Sequence, residues 1–338
     1  MQAHETVLVT GAAGFLGSAL VRELLGRGRA VCGVDDLSSR AGLPPARLPA
    51  EVELVRGDVT QPGVLEEALA RSGECAAFVH LAARVGVRAV LADSEGCAVS
   101  NRAGVERLLE AVAELPAARR PRVFFASSSE VYAARSGLLT ETGALREERQ
   151  GRWAYAASKI AGEHLLAQAA SLWPAERAPV CWRFFNVVGP GQSARSGMVL
   201  PNFLECARRG EPLPVHGDGR QTRTYARVDE VARTLADLVL HGELPGGSLN
   251  VGGRARASVR ELAECVLRHS GSRAGIAAVD PRAHQGASFE EVAERAPDLA
   301  RLESLGVFLP RASLDEIVED AWARHFDGEE RRCASLAS

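Results

Sequence analysis

Tyr155 and Lys159 stand four residues apart in the segment WAYAASKIAGEH, residues 153–164. Lys159 is the only lysine of the chain, because arginine occupies every other one of its 40 Lys and Arg positions. Lysine is a compact charge on a flexible stem and arginine is a planar fork, so a retained lysine indicates a site that needs a small cation. On a helix the two side chains share a face, where the ammonium would lower the pKa of the phenol from about 10. The spacing predicts a general base, provided that a cofactor site lies nearby.

A glycine-rich segment, TGAAGFLG at residues 10–17, follows the apolar run VLVT and precedes an amphipathic stretch. Glycines let the backbone turn tightly and approach a pyrophosphate, whose charge is stabilised by the N-terminus of the following helix. The spacing is G-x-x-G-x-x-G rather than G-x-G-x-x-G. We predict a dinucleotide site formed by Gly11, Gly14, Phe15, Leu16 and Gly17.

Asp35 and Asp36 end the next apolar run, about twenty residues beyond the glycines, where an acidic side chain can hold the adenosine ribose hydroxyls. A carboxylate there repels a 2′-phosphate, which favours NAD over NADP, although Arg40 is close enough in the sequence to leave NADP open. Asp58 follows the third apolar run. It could bind the cofactor by accepting a hydrogen bond from the adenine amino group, or it could cap its own loop.

The composition excludes several classes of protein. A formal net charge of -3, 25% charged residues and 5% aromatic residues argue against nucleic-acid binding. The N-terminus carries no basic segment followed by a signal-peptide run, and no stretch approaches the roughly 18 apolar residues that cross a bilayer. The seven cysteines contain no C-x-x-C pair, so free thiols are expected. We therefore expect a cytoplasmic protein that binds neither nucleic acid nor a membrane.

Short apolar runs alternate with amphipathic segments through the first half of the chain. The runs typical of buried strands are residues 7–10, 30–35, 52–55, 76–82, 123–128 and 180–186. Strict alternation of strand and helix predicts an α/β fold with a parallel sheet covered on both faces. After Asn186, pieces punctuated by glycine and proline predict a smaller lobe that returns to the first in places. The predicted division is residues 1–186, residues 187–327, and a flexible tail over residues 328–338.

Together these segments resemble the extended short-chain dehydrogenase/reductase family, in its NAD-dependent branch of nucleotide-sugar epimerases, dehydratases and decarboxylases. The motifs that carry the resemblance are TGAAGFLG, VDDLS, GDV, HLAA, SSSEVY, YAASK, RFFNVVGPGQ, GMVLPNF, VHGDGRQTRTY and ERAPDL, and they span nearly the whole chain. The resemblance implies a Rossmann-type doubly wound parallel sheet with a smaller C-terminal lobe that binds the substrate. It also implies a bound and recycled NAD, and a UDP-sugar as substrate.

The resemblance assigns roles to individual residues. Tyr155 is the catalytic base, Lys159 also binds the nicotinamide ribose, and Ser128 hydrogen-bonds the sugar 4-hydroxyl. Further implied cofactor contacts are Ser38, Val59, Leu81, Ala82, Ala83 and Asn101. Implied substrate contacts are Ser128, Ser129, Asn186, Val199, Leu200, Val215, Arg223 and Arg295. Arg223 suits a pyrophosphate, because a guanidinium fork matches phosphate oxygens. We interpret His80 and Trp153 as packing residues without a chemical role.

All branches of this family begin by oxidising the sugar C4 to a ketone. Glu130 in SSSEVY and Arg295 in ERAPDL resemble the decarboxylase pattern, in which the arginine binds a C6 carboxylate and helps to protonate C5. We therefore expect a UDP-glucuronate decarboxylase that yields UDP-xylose, a UDP-4-keto-pentose, or both. The alternative is a UDP-sugar 4-epimerase acting on glucose and galactose or on glucuronate and galacturonate. A non-catalytic NAD(H)-binding regulator is a remote alternative, and Ser129, where glucose 4,6-dehydratases carry an acidic Asp, disfavours dehydration.

Three positions depart from the family pattern: Ala133 replaces a glycine, Gly191 an arginine and Ser128 a threonine. Ser128 keeps the hydroxyl but lacks the branching that fixes a threonine rotamer, which could loosen the sugar. Relatives usually form homodimers through two helices of the first lobe. We expect these helices at NRAGVERLLEAVAEL, residues 101–115, and around Tyr155, although their apolar stripes fit an intramolecular core equally well.

Overall fold

A seven-stranded, all-parallel sheet lies at the centre of the protein. The structure is a computed structural model that describes residues 5–38, 48–194, 197–242, 244–280 and 292–325. Arg40 and the tail at residues 328–338 lie outside the described residues. The strands of this sheet and of two smaller ones are β1 (Thr6–Thr10), β2 (Val31–Asp35), β3 (Glu53–Arg56), β4 (Cys75–His80), β5 (Arg122–Ser128), β6 (Val180–Phe184), β7 (Val187–Val188), β8 (Leu213–His216), β9 (Thr222–Arg227), β10 (Gly247–Val251), β11 (Ala255–Ser258), β12 (Ile276–Val279) and β13 (Glu294–Arg295). The order across the large sheet is β10-β6-β5-β4-β1-β2-β3, so the chain winds outward from β1 in both directions. This order confirms the predicted Rossmann-type sheet.

Helices cover both faces of the large sheet. Those of the described residues are α1 (Phe15–Gly26), α2 (Val64–Ser72), α3 (Val87–Ala92), α4 (Ser94–Ala113), α5 (Ala154–Gln168), α6 (Val199–Arg209), α7 (Val228–Leu240), α8 (Val259–Ser270), α9 (Ala300–Ser304) and α10 (Leu314–His325). Successive side chains of a strand point to opposite faces. Accordingly, Val7 and Val9 of β1 belong to the core formed with α1 and α7, whereas Leu8 belongs to the core formed with α2, α4 and α5.

The carboxyl edge of the sheet collects the polar ends of several strands. Thr10, Asp35, His80 and Ser128 are the last residues of β1, β2, β4 and β5. Because all these strands are parallel, their last residues lie along one edge, and ligands of open α/β sheets bind at this edge. The fold thereby brings together the segments that the sequence analysis singled out.

A buried ion pair fastens α5, the helix that carries Tyr155, to the sheet. Arg183 Nη2 of β6 lies 2.6 Å from Glu163 Oε2 of α5, and both side chains are almost fully buried. Ser127 Oγ of β5 donates a hydrogen bond to Glu163 Oε1 at 2.5 Å. The ion pair and the Ser127 hydrogen bond together join α5 to β6 and β5, and no local sequence pattern predicts them.

The C-terminal region forms a smaller lobe around β9. Strand β11 pairs with β9 in the antiparallel sense, whereas β7 and β13 pair with it in the parallel sense, and β8 pairs separately with β12. Phe203 of α6, Val266 of α8 and Ile317 of α10 share the core of this lobe. Helix α8 begins with a capping box between Ser258 and Glu261, which satisfies free amides at its start. Strand β10 returns to the edge of the large sheet.

None of the described helices combines the length and the apolar content that a membrane crossing requires. The cysteines within the described ranges are free thiols, as expected from the sequence: Cys32, Cys75, Cys97, Cys181, Cys206 and Cys265.

Candidate active site

The turn between β1 and α1 forms the floor of the candidate cofactor site. Gly11 has a φ of 67°, a backbone conformation that glycine adopts without strain. A Cβ placed on Gly17 would lie 1.9 Å from the Gly11 carbonyl oxygen, so the first turn of the helix packs directly on the glycine turn. Gly14 is the N-cap, and no side chain of the described residues caps α1. Uncapped amides and the positive end of the helix dipole fit a pyrophosphate at this point.

Asp35 lies against the glycine turn. Its Oδ2 accepts a hydrogen bond from Ala13 N at 2.9 Å, and its Oδ1 accepts one from Leu37 N at 2.8 Å. Burial raises the pKa of this carboxyl, while the two amide hydrogen bonds oppose the rise. Asp36 is exposed and accepts hydrogen bonds from Ser38 N at 2.9 Å and Ser38 Oγ at 2.7 Å. Of the two aspartates, Asp35 therefore has the better position for a ribose beside the turn.

The segment 81–83 lies next to the same turn. Ala82 N donates a hydrogen bond to Thr10 Oγ1 at 3.2 Å, and a Cβ on Gly11 would come within 2.9 Å of Ala82 N. Val59 is partly buried against the core beneath α2 and α4. Segment 81–83 therefore lies against the glycine turn, and contact of this segment or of Val59 with the cofactor stays a prediction.

Two further predicted cofactor contacts are occupied by protein partners. Asp58 Oδ1 accepts hydrogen bonds from Thr60 N and Thr60 Oγ1, both at 2.8 Å, which is the loop-capping role that the sequence analysis left open. Asn101 Oδ1 accepts from Arg84 N at 2.7 Å, and Asn101 Nδ2 donates to Ser158 Oγ at 3.1 Å. Asn101 therefore ties α4 to α5, and contact of either residue with the cofactor stays a prediction.

Tyr155 and Lys159 share one face of α5, as their spacing predicts. The Lys159 Nζ atom lies 5.5 Å from the centre of the Tyr155 ring and 4.9 Å from the centre of the Phe125 ring. The lysine side chain is buried, with only 2% of the residue exposed. Burial lowers the pKa of Lys159 to about 8.

The sequence predicts that Lys159 lowers the pKa of Tyr155, but in the folded chain the pKa of Tyr155 is raised. Burial raises the pKa of the phenol, and the Glu130 carboxylate and the Cys97 thiol raise it further, whereas a hydrogen bond with Ser128 lowers it. Desolvation is the main cause. Removing water destabilises the phenolate by more than the nearby groups of the chain stabilise it. The Lys159 ammonium does not reverse this effect at its observed distance.

Ser128, Glu130 and Arg295 meet beside Tyr155. Ser128 ends β5, and its Oγ accepts a hydrogen bond from Glu130 N at 3.2 Å. The Arg295 Nη1 atom lies 3.9 Å from Glu130 Oε1, and Arg295 is 8% exposed. Burial lowers the pKa of Arg295 to about 10, and the Glu130 carboxylate opposes that shift. Ser129, which follows Ser128, is buried at the start of a short 3-10 turn.

Three more arginines surround Arg295, two of which the sequence analysis missed. Arg223 of β9 is the register partner of Arg295 on β13. The guanidinium carbons of Arg146 and Arg152 lie 3.4 Å and 4.1 Å from the centre of the Trp153 ring. The charges of Arg223, Arg152 and Arg146 all lower the pKa of Arg295. Arg152 stands one helical turn before Tyr155, and this spacing was the feature of the sequence that could have identified Arg152 as a site residue.

The predicted nucleotide-binding residues divide into two groups. Asn186 has a φ of 26°, which is strained for a residue other than glycine, and its Nδ2 donates to Thr224 O at 2.9 Å. Arg223 Nη1 donates to Val292 O at 2.8 Å. Leu200 and Val215, by contrast, are buried in the core of the C-terminal lobe. Burial leaves the backbone rather than the side chains of these two to face a substrate, and their contact with it stays a prediction.

Val199, the first residue of α6, is only partly buried beside that core. A substrate contact of Val199 stays a prediction.

His80 and Trp153 are both buried, as expected for packing residues. His80 is 1% exposed, and its Nδ1 lies 2.9 Å from Thr10 Oγ1. Its ring stacks on Phe125, and burial lowers its pKa to about 3, so the imidazole stays neutral. Trp153 is buried under the two arginines described above.

The sequence profile of the NAD dependent epimerase/dehydratase family matches residues 7–252. The chain belongs to this family. NAD is the cofactor of the family, and the glycine turn, the uncapped start of α1 and Asp35 fit that cofactor.

Three known proteins are similar to the chain over almost its full length. The UDP-N-acetyl-alpha-D-glucosaminuronate decarboxylase of Bacillus cytotoxicus is 30% identical in an alignment that covers 95% of this chain and 98% of that protein. The structure of MoeE5 in complex with UDP-glucuronic acid and NAD is 31% identical with a TM-score of 0.77, covering 97% of this chain and 99% of that one. The UDP-glucuronic acid 4-epimerase of Bacillus cereus, in complex with UDP-glucuronic acid and NAD, is 25% identical with a TM-score of 0.81, covering 94% of this chain and 98% of that one.

Proposed function

We propose that this protein oxidises C4 of a UDP-hexuronate with NAD and releases the C6 carboxylate as CO₂. The observation that carries the proposal is the buried guanidinium of Arg295, which lies 3.9 Å from Glu130 and beside Arg223. A sugar carboxylate matches such a guanidinium in charge and in shape. The Bacillus cytotoxicus relative is named for decarboxylation of a nucleotide-linked uronate, which supports the same reaction.

The first step is the removal of a proton from the sugar 4-hydroxyl. Tyr155 takes this proton, and Ser128, which shares a hydrogen bond with Tyr155, positions the hydroxyl. Lys159 supplies positive charge on the same helix face, 5.5 Å from the centre of the Tyr155 ring, and a nearby positive charge favours the phenolate. NAD held at the glycine turn and Asp35 would supply the hydride acceptor for oxidation at C4 and, for a pentose product, the hydride donor for the final reduction.

The second step follows from the 4-ketone. With a ketone at C4, the C6 carboxylate is part of a β-keto acid, so the C5–C6 bond breaks, CO₂ leaves and the electron pair passes to the enolate. Arg295 binds the carboxylate beforehand and donates a proton to C5 afterwards. Its pKa, lowered to about 10 by burial, makes it a stronger acid than an ordinary arginine.

The second candidate is a UDP-uronate 4-epimerase. It shares the first step, after which the keto sugar rotates and the hydride returns to the other face of C4. Ser128 favours this candidate, because a serine lacks the methyl group that would fix its hydroxyl and restrain the sugar. The similarity to the Bacillus cereus epimerase supports it as well.

The deciding experiment is incubation with NAD and either UDP-glucuronate or UDP-N-acetylglucosaminuronate, followed by proton NMR and detection of CO₂. The expected result is a pentose or 4-keto-pentose nucleotide with one CO₂ for each substrate consumed. Epimerised uronate without CO₂ would establish the second candidate. Turnover of neutral UDP-hexoses alone, or of none of these substrates, would contradict both.

Arg295→Ala is expected to lower the rate of CO₂ release by at least about 100-fold, because it removes the side chain that binds the carboxylate. The matched control is Arg256→Ala, which removes an exposed arginine paired at 2.7 Å with Glu294, the neighbour of Arg295, and should leave the rate unchanged. Arg295→Lys keeps the positive charge but loses the planar guanidinium. It tests the same role if Arg295→Ala fails to fold. An unchanged rate in Arg295→Ala would contradict the assigned role.

We also propose that the enzyme is a homodimer joined through α4 and α5. The two helices pack on each other, with Asn101 of α4 donating a hydrogen bond to Ser158 of α5, and Val99 of α4 is 62% exposed. Retention of both Tyr155 and Lys159 supports an enzyme rather than a non-catalytic regulator.

A further inference from the structure

A cluster of metal-binding side chains joins α8 to α10, apart from the residues of the candidate active site. Cys265 and His269 are one helical turn apart on α8, so they share a face, and Asp315 lies in the first turn of α10. One ligand atom from each of the three residues lies within 4.8 Å of the other two. Among the residues that the structure describes, this is the one group of three such side chains.

Two of the three separations between the ligand atoms resemble those around a tetrahedral metal ion. The Cys265 Sγ atom lies 3.6 Å from Asp315 Oδ1, and His269 Nε2 lies 3.0 Å from the same oxygen. Tetrahedral zinc with ordinary bond lengths separates a sulfur and an oxygen ligand by about 3.6 Å, and a nitrogen and an oxygen ligand by about 3.4 Å. The third pair, the Cys265 sulfur and the His269 imidazole, lies within 4.8 Å, so side-chain adjustment can bring all three ligands onto one ion.

We propose that Cys265, His269 and Asp315 bind a divalent transition metal ion, of which zinc is the best match. Thiolate and imidazole ligands favour zinc-like ions over magnesium and calcium, which prefer oxygen. Binding releases the thiol proton to solvent. Asp315 is 59% exposed, which leaves room for water as a further ligand. Such an ion would fasten the last described helix to the core of the C-terminal lobe.

Arg268 shows that this position already attracts a cation. Its Nη2 lies 2.5 Å from Asp315 Oδ1 and 3.4 Å from Cys265 Sγ, so the guanidinium contacts two of the three proposed ligands. The Arg268 side chain is 59% exposed and can swing into solvent when a metal ion enters. The metal and Arg268 consequently compete, and removal of Arg268 should strengthen metal binding.

The test is titration of the full-length, chelator-treated protein with Co²⁺, a spectroscopic substitute for Zn²⁺. We expect a thiolate-to-cobalt charge-transfer band together with tetrahedral d–d bands, both removed by excess Zn²⁺. Cys265→Ser should remove the charge-transfer band, and Arg268→Gln should lower the Kd. Cys206→Ser is the matched control, because it removes a partly buried thiol of α6 and should change nothing.

His269→Gln and Asp315→Asn keep the test valid if Cys265→Ser fails to fold, because these side chains are 22% and 59% exposed and contribute little to the core. Either substitution should weaken Co²⁺ binding at least about tenfold. Zn²⁺ should also raise the Tm of the wild type but not of these variants, and Mg²⁺ should not raise it. Equal Co²⁺ binding by wild type and all three ligand variants, weaker binding by Arg268→Gln, or no charge-transfer band in the wild type would overturn the proposal.

Discussion

Lys159 carries its charge in surroundings that oppose it. The side chain is buried against the Phe125 and Tyr155 rings, and burial lowers its pKa from 10.5 to about 8. The Cys97 thiol is the group that opposes this shift. A buried cation with little compensation is typical of a functional site, where chemistry takes precedence over stability. This residue therefore links the proposed chemistry to a measurable cost in free energy of unfolding.

Lys159→Met is expected to abolish turnover and yet raise the free energy of unfolding by about 2–3 kcal/mol near pH 7 without NAD. The folded pKa lies below the unfolded one, so the cost of the buried ammonium is complete below about pH 8 and fades as the pH rises towards 10.5. The gain should therefore shrink between about pH 7 and pH 9.5, as measured by urea unfolding. Arg71→Met, at an exposed position of α2, is the control and should show no such trend. A variant less stable than wild type at neutral pH would contradict this account.

The element that holds the cofactor depends on direct backbone packing between a turn and a helix. The start of α1 is pressed against the glycine turn so closely that a side chain at Gly17 would overlap the Gly11 carbonyl. At the other end of the same helix, a Cβ on Gly26 would meet no heavy atom within 4 Å. We therefore expect an added side chain to be tolerated at Gly26 but not at Gly17.

Gly17→Ala is expected to lower the free energy of unfolding by more than about 2 kcal/mol and to weaken NAD binding, because the turn must move away from the helix. Gly26→Ala should be neutral or stabilising by up to about 1 kcal/mol and should leave NAD binding unchanged. Urea unfolding and isothermal titration with NAD measure both effects. Equal affinities for NAD in the two variants would show that the turn is not part of the cofactor site.

At the scale of the whole molecule, the expected assembly is a dimer through the outer sides of α4 and α5. Sedimentation velocity should give the mass of two chains for the wild type. Val99→Glu should produce monomers, because it places a charge on the exposed apolar position of α4. Leu138→Glu is the control, since Leu138 is 53% exposed outside these helices and its variant should stay dimeric. A monomeric wild type would remove the proposed dimer.

Local sequence patterns determined the order of strands and helices, the glycine turn and the shared face of Tyr155 and Lys159. These features depend on short-range chemistry: hydrophobic periodicity, the conformational freedom of glycine and the helical repeat. The resemblance to the family then extended the prediction to the cofactor and to the parallel sheet. The strand predictions agree with the observed bounds to within about two residues at each end.

The tertiary structure alone decided how these residues are solvated and which distant groups surround them. It reversed the expected pKa shift of Tyr155, placed Leu200 and Val215 in a core, and gathered Arg146 and Arg152 around Arg295. The physical reason is that desolvation and Coulomb interactions depend on distances in space, and segments far apart in the sequence set those distances only when the chain folds.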